Sequence, residues 1–269
     1  MCYCEHCTAR FRRETGFELP RTSDPRDPAR LAYIRWKQDV LFEQWRLWDA
    51  EIRRIRPGAC FIPNVGGGAT SELDMATIGQ LAPMLVADRQ ARSGQTAPWA
   101  NGNNGKEYRA TMGNKPIIGL FSVGIEEPQR WKDSVQSEAE LRIWVADGIA
   151  HGLRPWFCKF SGVVYDERWM KPVERMYNWC AQNEAYLRNT ANLARVGLVY
   201  SQQTAHYYAG DDMRRKVEDP IRGMYHALVE ARIPFEMVHD RLLDPQHIDQ
   251  FKPLLSKIIP AWCPARRLE

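Results

Sequence analysis

No stretch of this chain approaches the roughly 18 consecutive apolar residues of a membrane-spanning helix, and no apolar segment of the signal-peptide kind opens it. Strong charge of one sign is also missing. The net charge is +4, and no basic run is interleaved with aromatics, which sets aside nucleic-acid binding. The arginine clusters at 10–13 and 51–56 sit beside acidic residues and read as solvated helix faces. A dinucleotide fingerprint is absent: the stretch YSQQTAHYYAG at 200–210 has no G-x-G-x-x-G. His206, His226, His239 and His247 lack H-E-x-x-H spacing, so they read as structural histidines. An even, regularly spaced set of cysteines is lacking too. There are seven, and Cys60, Cys158, Cys180 and Cys263 are scattered. This excludes a disulfide framework and favours a reducing, cytoplasmic setting. Cys60 and Cys158 lie in apolar runs and are expected to be small buried hydrophobes.

What is present begins at once. Cys2, Cys4 and Cys7 fall within six positions, with His6 between them. Thiolates at this spacing suit one tetrahedral Zn²⁺, and the expectation is three sulfurs converging on one turn. The segment 31–55 then carries Leu31, Ile34, Leu41, Trp45, Trp48, Ile52 and Ile55 at spacings of three, four and seven. That is one apolar stripe on a long helix. Asp27 is its expected N-cap, Pro28 its first residue, and Pro57-Gly58 its stop.

Short apolar runs then alternate with helical patterns. ACFIPN at 59–64, PMLVAD at 83–88, KPIIGLFSVG at 115–124 and LRPWFCKFSG at 153–162 read as buried strands. SEAELRIWVADGIAHG at 137–152 and the segment from 166 to 189 read as helices, with Pro172 in the first turns of the second. Buried strands alternating with amphipathic helices predict parallel βα units. After residue 192 the pattern restarts as strand, helix, strand, short helix, strand over 195–260, which predicts an open doubly wound sheet. The expected organisation is therefore two domains, 1–192 and 193–269. Four βα strands are half of a (β/α)₈ barrel. Half a barrel leaves two open edges and an uncovered inner face, so further strands are expected before residue 1.

CYCEHCTARFRRETG at 2–16, followed by the Trp-rich helix, resembles the segment after the fourth barrel strand of family-42 β-galactosidases and related glycoside hydrolases. ELRIWVADGIAHGLRPWFCKF at 140–160 resembles that barrel's seventh helix and eighth strand. The stretch from RVGLVYS at 195–201 to MVHD at 237–240 resembles the start of the family's β-galactosidase trimerisation domain. The resemblance implies the C-terminal half of a TIM barrel followed by part of a flavodoxin- or amidotransferase-like, non-catalytic α/β domain. It also implies an Asn-Glu acid/base upstream of residue 1, a carbohydrate substrate, no organic cofactor and a homotrimeric parent. A structural Zn²⁺ on the three cysteines, completed by a fourth from upstream, belongs to the same resemblance. On this reading the chain is the back part of a larger enzyme, incomplete and inactive as it stands.

The family's nucleophile is a Glu ending the seventh strand. Here that strand ends in Ser122-Val123-Gly124, and Glu126 and Glu127 follow in the loop. Glu126 is the expected nucleophile. Other polar groups lie at strand ends, where barrel sites form: Asn64, then Asp88, Gln90 and Arg92, and Lys159. Gly66, Gly67 and Gly68 would let a sugar approach the backbone, and Trp131 could stack on a sugar ring. Trp36, Trp45, Trp48, Trp144 and Trp179 lie on helices and read as packing. Two rival readings remain. One is a carbohydrate-binding or assembly protein that keeps the scaffold without catalysis. The other is a complete small α/β protein of unrelated role.

Overall fold

The structure is a computed structural model, and it describes residues 2–89, 96–124, 134–159, 166–189 and 191–255. The chain begins with helix α1 (Glu5–Thr15), which closes at Gly16 in the left-handed region, φ 77°, with its N–H on Arg12 O. Helix α2 (Pro28–Ile55) starts as the sequence predicts. The Asp27 side chain accepts from Ala29 N and Pro28 fills the first turn. Phe11 of α1 meets Trp36 of α2 edge to face at 5.2 Å, and Trp36 Nε1 donates to Glu14 at 2.8 Å. The expected stripe on α2 is only partly used: Trp45 is buried, whereas Trp48 and Ile55 are exposed.

Four strands follow: β1 (Asn64–Val65), β2 (Leu85–Ala87), β3 (Ile117–Ser122) and β4 (Leu153–Cys158). They pair in parallel in the order β1-β2-β3-β4. The helices between and after them are α3 (Met75–Leu81), α4 (Ala100–Met112), α5 (Glu138–Ala150) and α6 (Met170–Gln182). Sequential parallel strands joined by helices are the repeating unit of a (β/α)₈ barrel, here as an open four-stranded sheet. The first strand is much shorter than expected over 59–64. The Phe61 N–H donates to the Asp49 carboxylate at 2.9 Å, so it does not enter a ladder, and Pro63 has no N–H to give. Helix α5 is capped by Ser137, whose hydroxyl accepts from Glu140 N. Phe121 from β3 and Val123 just past it, Leu141, Trp144, Val145 and Ile149 from α5, and Trp169, Val173 and Met176 at α6 form one buried cluster. Burying each large side chain contributes about 1.5–3 kcal/mol.

Strands β5 (Val196–Tyr200), β6 (Phe235–His239) and β7 (Leu254–Leu255) form a second parallel sheet in the order β6-β5-β7. Its helices are α7 (Gln202–Tyr207), α8 (Asp219–Glu230), entered through one π turn at Arg214–Glu218, and α9 (Pro245–Ile248). Gly197 lies in the central strand because a Cβ there would stand 2.7 Å from Leu254.

By contact the chain divides into two units. One gathers Met1–Phe61, Gly68–Ala76 and Arg195–Glu269; the other gathers Ile62–Gly67 and Thr77–Ala194. No helix among the described residues is long and apolar enough to cross a membrane.

Candidate functional site

In parallel α/β sheets, ligand-binding groups collect at the carboxyl ends of the strands. At those ends of β1 and β2 stand Asn64 and Asp88. Neighbouring register pairs Asn64 with Val86 and Val65 with Ala87, so the side chain of Asn64 reaches the residue just past β2. Asn64 Nδ2 donates to Asp88 Oδ2 at 3.0 Å. Asn64 is exposed and Asp88 half-buried. The structure therefore joins two of the sequence-predicted residues into one polar pair.

Beneath that pair lies a residue that the sequence did not single out. Tyr108 of α4 is fully buried. Its hydroxyl donates to Val65 O at 2.8 Å. Burial pushes the phenol well above its ordinary pKa, so it stays protonated and able to donate. The ring also explains one of the glycines. A Cβ on Gly67 would stand 2.5 Å from Tyr108 Cε2, so Gly67 makes room for this ring and not for a sugar. Gly68 has φ 77°, a left-handed conformation that favours glycine. Gly66 alone of the three is exposed with open space at its Cα.

At the far strand, Lys159 follows β4 and is half-buried. Its charge adds to the effect of Arg168, whose hydrogen bond is the main cause holding the Asp166 carboxyl down at about 2. The end of β3 is closed by backbone capping. Gln136 Nε2 donates to Ser122 O and to Gly124 O, each at 2.8 Å, and Gly124 N donates to Ser122 Oγ at 3.1 Å. Glu126, Arg92 and Trp131, like Gln90 and Glu127, lie outside the described residues.

The N-terminal cysteines do come together. The sulfurs of Cys2, Cys4 and Cys7 all lie within 4.8 Å of one another. Cys4 is the N-cap of α1 and Cys7 lies in its first turn. Tetrahedral thiolates on Zn²⁺, with Zn–S near 2.3 Å, stand about 3.8 Å apart, so this donor set fits a metal with small adjustment. The Cys7 N–H, as the largest cause, lowers the Cys4 thiol pKa. Cys7 is pushed up to about 11 by hydrogen bonding with the Cys4 and Cys2 sulfurs. Such proton sharing is what a metal ion would replace. The other described cysteines, Cys60, Cys158 and Cys180, are half-buried and in no disulfide. The expectation of burial for Cys60 and Cys158 is corrected accordingly. Cys60 lies outside any strand, and Cys158 is the last residue of β4, which among the described residues borders only β3.

The carboxyl ends of β5 and β6 hold a different arrangement. Gln202 uses its whole amide. Nε2 donates to Ser71 O at 2.8 Å and to Leu73 O at 2.6 Å, while Oε1 accepts from Met75 N at 2.9 Å. The second partner of Oε1 is His239 Nε2 at 3.0 Å. His239 Nδ1 accepts from Arg241 N at 3.1 Å, which leaves the ring hydrogen on Nε2 and the imidazole neutral. Burial is the main cause depressing the pKa of His239, and likewise that of His206, whose Nε2 meets Ser71 O at 2.7 Å. Asp240 accepts from Ser201 Oγ at 2.6 Å and from Gln203 N at 3.2 Å. Arg241 binds Asp74 at 2.5 Å. His226 and His247 pair with Glu230 and Asp244. These histidines hold structure, as their spacing suggested.

No protein-family model matches this chain, and no curated protein matches it. Solved structures do. The β-galactosidase of Bacillus circulans sp. alkalophilus superposes with a TM-score of 0.77 at 16% identity, over 95% of this chain and 45% of its own. Gan42B, a GH42 β-galactosidase of G. stearothermophilus solved as a catalytic mutant, gives 0.71 at 13%, over 95% and 46%. The β-galactosidase of Rahnella sp. R3 gives 0.72 at 13%, over 95% and 45%. The chain thus spans under half the length of these proteins. At such identity the likeness is one of fold: an α/β chain with parallel sheets that matches part of the family-42 TIM-barrel fold.

Proposed function

We propose that this chain is part of a β-galactosidase-like glycoside hydrolase, with the carboxyl ends of β1–β4 forming one wall of a carbohydrate site. The observation that carries the reading is the Asn64–Asp88 hydrogen bond, 3.0 Å, across adjacent carboxyl ends of parallel strands. An amide and a carboxylate held side by side and open to solvent suit the vicinal hydroxyls of a sugar. The fold likeness to β-galactosidases points the same way. Lys159, Arg92 and Trp131 are assigned to substrate binding and Glu126 to the nucleophile. Retaining hydrolysis needs a second carboxyl about 5–5.5 Å from the first. The acid/base is assigned to a barrel strand present in the neighbours and outside the share of them that this chain spans. Cys2, Cys4 and Cys7 are assigned a structural Zn²⁺. Residues 193–269 are assigned to a trimerisation-type domain, and the whole protein to a closed trimer.

The test is hydrolysis of aryl β-galactosides by the protein with a complete barrel, beside its Glu126→Gln variant and beside the 269-residue chain. Turnover in the first, lost in the second and absent from the third, supports the hydrolase reading, the nucleophile and an acid/base outside this chain. Turnover that survives Glu126→Gln removes the nucleophile. The second reading is sugar binding without hydrolysis. It is favoured by the end of β3, where Gln136 caps Ser122 O and Gly124 O and no carboxylate stands on the strand itself. Binding of galactosides without turnover in any form would select it. For the metal, cobalt added to the apo chain should give thiolate charge-transfer absorption that Cys4→Ser removes. Absorption unchanged in that variant would rule out the three-thiol site.

A further inference from the structure

The pair at the strand ends is held by a residue of another element. α4 is an unusual helix: its residues 101–107 are Asn-Gly-Asn-Asn-Gly-Lys-Glu, and all are buried. It reaches that position because it and α5 meet at backbone distance. A Cβ on Gly102 would stand 2.7 Å from Asp147 Oδ1, one on Gly105 2.7 Å from His151 O, and one on Gly148 2.5 Å from Asn101 Nδ2. Two hydrogen bonds lock the approach. Asn101 Nδ2 donates to Trp144 O at 2.7 Å and Gly102 N to Asp147 Oδ2 at 2.5 Å. Two turns farther along α4, this docking delivers Tyr108 beneath β1 and β2. There its hydroxyl hydrogen goes to Val65 O, the last carbonyl of β1, on the residue after Asn64, at 2.8 Å.

We propose that Tyr108 is the positioning residue of the strand-end site: its phenol holds Val65 O and its ring fills the space beside Gly67, and together these fix the end of β1 that presents Asn64 to Asp88. It touches no substrate. It acts through the backbone of β1, and Gly67 is the clearance its ring requires. Only the nature of the ligand rests on the glycoside reading above.

The test uses the 269-residue chain and the side-chain amide signals of Asn64 in ¹H–¹⁵N NMR spectra. Asp88→Ala gives the position of those signals when the carboxylate is gone. Tyr108→Phe keeps the ring and removes only the hydroxyl. In it the Asn64 amide signals should move at least half of the way toward their position in Asp88→Ala, with the rest of the spectrum retained. Gly67→Ala, which pushes the ring away while keeping its hydroxyl, should move them in the same direction. Wild-type Asn64 signals in both variants, with only a lower melting temperature, would overturn the proposal and leave Tyr108 as packing. Titration of the protein with a complete barrel, wild type and Tyr108→Phe, with methyl β-D-galactopyranoside separates this from the functional reading. If the Asn64 signals depend on Tyr108 and the sugar never binds, the positioning role stands and the galactoside assignment falls. If the sugar binds wild type and Tyr108→Phe equally well, with Asn64 unmoved, the functional reading stands and the positioning role falls.

Discussion

The two parallel sheets treat their carboxyl ends in opposite ways. At β1 and β2 an amide and a carboxylate meet, with Asn64 exposed to solvent and Asp88 half-buried. At β5 and β6 the same region is filled by the protein. Gln202 spends all of its capacity on the segment 71–75 and on His239, which is wholly buried. A polar residue at a parallel strand end is therefore no sign of a ligand site by itself. What distinguishes the two is how much of its capacity the fold has already taken. A saturated group stabilises structure, and an open one is available to a substrate.

That contrast can be broken most forcefully at Gln202. Gln202→Leu would strand Ser71 O, Leu73 O, Met75 N and His239 Nε2 together. At about 1–3 kcal/mol for each unsatisfied buried group, with partial relaxation, the expected loss is about 4 kcal/mol. Urea unfolding measures it, and a loss below about 1 kcal/mol would mean that the network is dispensable.

The next effect is on pH dependence. His239 faces Asp240, Asp74 and Arg241, and burial outweighs the carboxylates in lowering its pKa. The folded pKa thus lies below the unfolded value near 6.5. Between the two the unfolded chain binds more protons, so stability is full above about pH 6.5 and falls as pH drops below it. His206 adds in the same direction. From pH 7.5 to 5.5 the protein should lose stability, and the slope should shrink in His239→Gln. An unchanged slope in that variant would show that other groups carry the dependence.

The smallest stability effect is expected at the open end. Asn64→Ala removes one solvent-accessible hydrogen bond and should change stability by no more than about 0.5 kcal/mol. It should nevertheless abolish measurable galactoside binding by the protein with a complete barrel. Thermal unfolding and calorimetric titration on the same sample read both. Large destabilisation with intact binding would invert the comparison drawn here.

The sequence was most legible where local chemistry and burial agreed. Asp27-Pro28 announced α2, the helical pattern at 137–152 became α5, and the apolar runs at 115–124 and 153–162 became β3 and β4. It was least legible where tertiary contacts overrode local preference. In α4, Asn and Gly are poor helix formers, and the helix is held by its close approach to α5. α1 buries only Phe11, so its pattern shows no stripe. The strand expected over 59–64 shrank because a carboxylate of the preceding helix took the Phe61 N–H. For the site, strand-end position was enough to select Asn64 and Asp88. Nothing in the order of residues singles out Tyr108, a tyrosine inside a polar helix, as the group beneath them.

The segment Gly68–Ala76 belongs by contact with the first helices and the last strands, although the residues on either side of it belong elsewhere. During synthesis this has a timing consequence. α1, α2 and the segment that Gln202 will hold emerge before Gln202 and His239, which leave the ribosome about 130 and 170 residues after that segment. At about 5–20 residues per second, that segment waits on the order of ten seconds or more with its partners unmade. The unit of β1–β4 is meanwhile synthesised whole. Of the two units, the one that α1 and α2 belong to is therefore completed later, and synthesis stalled before His239 would leave its sheet unfinished while β1–β4 are complete.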